Sequence, residues 1–131
     1  SSAASDVYKR QGNTIPNYHK EVGKFMEKEL VGLGLLSLNG IKRQSKDAPA
    51  YKKYFMHGTS HFLGIDVHDV GNYEKPIEEG MVFTCEPGIY IPEEGLGIRL
   101  ENDILVTDSK PIDLMEEIAI EVEEIESLMA G

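Results

Sequence analysis

Two strand-forming runs, residues 81–91 and 96–107, flank Pro92-Glu93-Glu94-Gly95, and this arrangement constrains the fold more than any other feature. Both runs are rich in β-branched residues, and the Pro and Gly of the intervening four suit a hairpin turn. A turn centred between Glu93 and Glu94 makes the numbers of facing residues add to 187, so Glu86 faces Glu101 across the antiparallel pair. Facing Cβ atoms in such a pair sit roughly 4.5–5.5 Å apart. Two carboxylates so placed repel, and a shared proton or a cation must offset the repulsion. Bridging carboxylates suit two cations side by side. A bulge at Gly95 or Gly97 would instead shift the register and separate the two.

Upstream lies His57-Gly58-Thr59-Ser60-His61-Phe62-Leu63-Gly64-Ile65-Asp66-Val67-His68-Asp69, which holds three of the chain's four histidines. Imidazole is the commonest metal ligand and a proton shuttle near neutral pH. A lone His61 would more often be a hydrogen-bonded core histidine. Two candidate carboxylates on the same chain move the reading toward metal. One imidazole among oxygen donors suits manganese, cobalt or zinc by ligand hardness. Thr59 and Ser60 are placed to orient such ligands.

The rest of the chain reads as scaffold. From Ile15, Val22, Phe25, Met26 and Leu30 recur at helical spacing, with Pro16 in the first turn and Gly32 and Gly34 at the end. His19 on this helix reads as an exposed histidine. Residues 35–49 read as a loop and 50–54 as a short helix. Residues 111–114 read as a short strand, and 121–129 as an amphipathic helix whose glutamates form a solvated face.

The chain of 131 residues suits one domain. Its net charge of −10, with no basic patch, argues against nucleic-acid binding. No apolar run approaches a bilayer span. Cys85 is the single cysteine, so no intrachain disulfide can form, which fits a cytoplasmic setting. Asp6-Val7-Tyr8-Lys9-Arg10-Gln11 resembles the translation of a transposon-end adapter. Residues 1–11 are therefore expected to be a non-native lead, with the domain occupying residues 12–131.

The histidine stretch resembles the signature of Xaa-Pro aminopeptidases (aminopeptidase P), within the pita-bread metallopeptidases. Thr84-Cys85-Glu86-Pro87-Gly88-Ile89-Tyr90 and Gly97-Ile98-Arg99-Leu100-Glu101-Asn102-Asp103 resemble that family's two later motifs, in its order. The resemblance implies an α+β fold: the second half of a pita-bread domain, a curved antiparallel sheet with helices on one face. It implies His61, Glu86 and Glu101 as metal ligands, with Glu86 also handling a proton. It implies His57 and His68 flanking the substrate, with His68 stabilising the tetrahedral intermediate, and Arg99 as the basic residue behind the cluster. The implied reaction is metal-dependent hydrolysis of the bond between an N-terminal residue and a following proline. The implied cofactors are two divalent ions, manganese first, with cobalt or zinc as alternatives. A peptide substrate and a homo-oligomeric parent are the implied partners.

The family's site also uses two aspartates from an upstream hairpin. Asp47 is the single acid between Glu29 and His61 and sits in the wrong context. The chain is therefore expected to be a fragment, inactive alone. Prolidase uses the same motifs and stays open as an alternative, as does a non-enzymatic pita-bread binding module. A creatinase-like, metal-free enzyme is disfavoured by retention of Glu86 and Glu101. Methionine aminopeptidase is disfavoured by Thr59-Ser60-His61-Phe62-Leu63, which departs from its glycine-rich version.

Overall fold

A computed structural model describes residues 12–131, and the expected non-native lead at 1–11 lies outside the described residues. Helix α1 spans Ile15–Gly32. Thr14 caps it by accepting a hydrogen bond from the Asn17 amide, and a proline in the first turn leaves no donor to satisfy. It buries Ile15, Tyr18, Val22, Met26 and Leu30, one per turn. Each such side chain, fully buried, is worth about 1.5–3 kcal/mol. Phe25 departs from the expected stripe, being 45% exposed.

The predicted loop at 35–49 contains a second helix, α2, Leu38–Arg43. Ser37 caps it through the Gly40 amide. A 3-10 turn follows at Ala50–Lys53, where a short helix is predicted. Its Tyr51 lies against α1 at Gly23, where an added Cβ would run into the phenol ring. Gly23→Ala should therefore cost about 1–3 kcal/mol through overpacking, although alanine is the better helix former by about 1 kcal/mol. Urea unfolding of the two proteins measures the sign directly.

The hairpin forms in the predicted register but not as two unbroken strands. β1 (Val82–Cys85) pairs with β4 (Asn102–Leu105), and β2 (Gly88–Ile91) with β3 (Leu96–Arg99). Facing pairs such as Val82 with Leu105 and Ile89 with Ile98 follow the same arithmetic on both sides of the gap. No bulge intervenes. The turn is a 3-10 turn, Pro92–Glu94, closed by Gly95 at φ +62°, a conformation that favours glycine. The ladder breaks where Glu86, Pro87, Leu100 and Glu101 stand. Pro87 has no N–H to give it, and the break separates a three-stranded sheet from the two-stranded ribbon.

A short β5 (Ile112–Asp113) pairs with β4 where a strand is predicted. Residues 59–62 run antiparallel along the other edge of β1. Glu86 donates its amide to the Thr59 carbonyl (2.9 Å), Thr84 to that of His61 (3.2 Å), and Phe62 bridges Phe83. Helix α3 (Val122–Met129) forms as predicted, with Val122, Leu128 and Met129 more than half exposed.

Side chains alternate across a strand, so Phe83, Cys85 and Ile104 share one face and Thr84, Glu86, Arg99 and Glu101 the other. The first face packs on α1: Phe83 is fully buried, and Tyr18 Oη lies 3.4 Å from Cys85 Sγ. Burial pushes the Cys85 thiol up from its ordinary pKa, as suits the small buried hydrophobe expected here. Further along the same face, Phe25, Ile89, Ile91 and Ile98 border an open apolar groove of about 1030 Å³. The second face carries the candidate metal ligands Glu86 and Glu101.

Candidate metal centre

His61, Glu86 and Glu101 each place one donor atom within 4.8 Å of the others. Three pieces of local structure produce this. Strand-edge pairing of residues 59–62 with β1 brings His61 beside Thr84 and Glu86. The hairpin register puts Glu101 opposite Glu86. The proline break keeps both glutamates out of the regular ladder. His61 Nε2 lies 3.5 Å from Glu86 Oε1 and 3.6 Å from Glu101 Oε1. His61 and Glu86 are buried, whereas Glu101 is exposed.

The tautomer of His61 follows from its other nitrogen. Nδ1 lies 2.8 Å from the Phe62 carbonyl, which can only accept, so Nδ1 carries the proton. In the neutral ring Nε2 then offers a lone pair toward two carboxylate oxygens. A proton or a cation between these three acceptors would relieve their mutual repulsion. Ligands about 2.0–2.2 Å from a divalent ion lie about 3.0–3.5 Å from one another in tetrahedral or octahedral arrangements. The two separations from His61 are close to that spacing, and all three donors lie within 4.8 Å of one another, so the donor set fits a divalent cation.

Thr84 ties the set together. Its hydroxyl accepts from the His61 amide at 2.9 Å and donates to Glu86 Oε1 at 3.2 Å. Sequence reasoning named Thr59 and Ser60 for such a role and missed Thr84. The signal was available, because Thr84 lies two residues before Glu86 and shares its strand face. Arg99, two residues before Glu101 and so diagonal to Glu86, places Nη1 3.3 Å from Glu86 Oε2. It stands on the carboxylate oxygen turned away from His61.

The flanking histidines part company. The exposed His68 ring lies over His61, with centroids 4.2 Å apart. His57 sits edge-on between Phe55 and Tyr90, at 5.7 and 5.3 Å. Its Nδ1 lies 2.6 Å from the Gly58 carbonyl, and its Nε2 is buried without a hydrogen-bond partner among the described residues. A Cβ at position 88 would come within 3.0 Å of that nitrogen, so Gly88 leaves it room.

His19 is not the exposed histidine that the sequence suggests. It is half-buried, its Nδ1 lies 2.7 Å from Thr59 Oγ1, and its ring rests on Phe55. Burial first, then Lys52 and His57, push its pKa below the usual histidine value.

The chain matches the family model of metallopeptidase family M24 over residues 2–108. It is 42% identical over 134 residues to Xaa-Pro aminopeptidase of Escherichia coli K12, covering 93% of this chain and 30% of that protein. Human Xaa-Pro dipeptidase is 34% identical over 158 residues, covering 88% of this chain and 31% of that protein. The solved structure of zinc-substituted E. coli aminopeptidase P in complex with product superposes with a TM-score of 0.80 at 39% identity. That superposition covers 98% of this chain and 31% of the other. The chain thus spans just under a third of the length of these relatives.

Proposed function

The chain belongs to metallopeptidase family M24 and shares the pita-bread fold of its aminopeptidase P neighbours, and on that premise we propose that the intact protein is a metal-dependent Xaa-Pro aminopeptidase. The observation that carries the reading is the convergence of His61, Glu86 and Glu101 in a chain so similar to E. coli Xaa-Pro aminopeptidase. These three residues would hold divalent metal, manganese by the hardness of the donors, with cobalt or zinc as substitutes. When bound, the metal supplies Lewis-acid polarisation of the scissile carbonyl and a more acidic water. A second ion needs further carboxylates that the described residues do not bring to the cluster.

Glu86 takes a proton from the attacking water and delivers it to the proline nitrogen. That transfer is required, because the amine leaves readily only once protonated. Arg99 holds the far oxygen of Glu86, so the near oxygen faces the reacting atoms. His68, exposed beside His61, donates to the oxygen on which negative charge builds. His57, with Tyr90 against it, borders the substrate. Among the described residues no helix is long and apolar enough to cross a membrane, and a homo-oligomer is the proposed assembly.

Similarity to human Xaa-Pro dipeptidase keeps a second reading, prolidase. Release of glycine from Gly-Pro-X peptides and from the dipeptide Gly-Pro, with and without chelator, tests both. The expected result is metal-dependent cleavage of the longer peptides by the full-length protein and none by the isolated chain. Cleavage confined to the dipeptide would favour prolidase, and full activity in chelator would overturn the metal mechanism.

A further inference from the structure

His19 lies outside the cluster, yet its bond to Thr59 reaches the segment that carries His61. We propose that His19 is a positioning residue: by gripping the Thr59 side chain it clamps residues 59–62 between helix α1 and strand β1, and so fixes His61 beside Glu86. Its consequence for metal binding rests on the function proposed above; the clamp itself does not.

Thr59 is 1% exposed, and a buried hydroxyl needs a partner. His19 Nδ1 supplies it at 2.7 Å from an element 40 residues away. The same residue's carbonyl accepts the Glu86 amide at 2.9 Å. Thr59 is therefore held by its side chain on the α1 side and by its backbone on the β1 side. The contacts between residues 59–62 and β1 alone would let the segment hinge away from the helix. His19 has little freedom of its own, since its ring rests on Phe55 and its neighbour Tyr18 is fully buried. The lowered pKa keeps the imidazole neutral near neutral pH, able to give or take the hydrogen bond with the hydroxyl.

The test uses the full-length protein with His19→Ala, His19→Asn, Thr59→Val and the Ala/Val double variant. Asparagine sets an amide near the place of Nδ1 and can donate or accept. Amide hydrogen exchange is read at Glu86, whose N–H bonds Thr59, and at Val106, whose N–H bonds Met81 (2.9 Å) at the other end of the sheet. Exchange at Glu86 should quicken about fivefold to tenfold in His19→Ala and Thr59→Val, the worth of one buried hydrogen bond. It should quicken no further in the double variant, return toward normal in His19→Asn, and stay unchanged at Val106 throughout. Titration with cobalt(II), read by its visible absorption, should show a matching loss of affinity in the same variants. The clamp is overturned if Glu86 exchange is unmoved by both single changes, if Val106 quickens equally, or if asparagine behaves as alanine does. Should the parent protein bind no cobalt while the exchange pattern holds, the metal reading fails and the clamp stands.

Discussion

Glu86→Gln in the full-length protein should lower turnover by roughly 10²–10⁴-fold at saturating metal, the usual worth of a positioned general base. The amide keeps the shape of the carboxylate and one oxygen for a ligand bond, but it cannot take the proton of water or return it to the proline nitrogen. The Michaelis constant should change far less, because proton transfer is felt in the transition state and not in the ground state. Arg99, 3.3 Å from Glu86 Oε2, loses its charge partner in the variant. Arg99→Lys serves as a control, since it keeps the charge and loses the planar fork. A Gln variant with unchanged turnover and a raised Michaelis constant would mean that Glu86 only binds.

The largest effect on stability should come from Phe83→Ala. Phe83 is fully buried in β1, faces Ile104, and meets the Phe62 ring at a centroid distance of 4.7 Å. Removing the ring should cost about 3–5 kcal/mol, transfer and cavity terms together. The loss also reaches the candidate centre, because Phe62 directly follows His61 and bridges Phe83. Urea unfolding should show a lower midpoint with little change in slope. A cost under about 1 kcal/mol would mean that the site can collapse around the deletion.

The hairpin register was legible because turn and alternation agree: Pro92 and Gly95 set the reversal, and the two runs can face each other in one way without a bulge. The break at the glutamates was less so, although Pro87 stood beside Glu86. A proline removes one ladder hydrogen bond, and whether the strands part there depends on the groups across the gap. Helix α2 was missed because six residues that include Gly40 carry too little periodicity, and its Ser37 cap reads equally well as loop. Phe25 lies on a helical stripe, but spacing places a residue on a face and cannot say what covers that face. His19 was illegible for a similar reason: its partner Thr59 is remote in sequence, and no local pattern joins them. The three candidate ligands were legible because each belongs to a local motif, while Thr84 required a strand face to be drawn.

His61, Glu86 and Glu101 are proposed to hold one divalent ion between them. Soaking crystals of the full-length protein in manganese and mapping its anomalous scattering tests this directly. A peak is expected about 2.0–2.3 Å from His61 Nε2, with oxygens of Glu86 and Glu101 in its shell. A fully active protein whose only manganese peak lies away from these three side chains would contradict it.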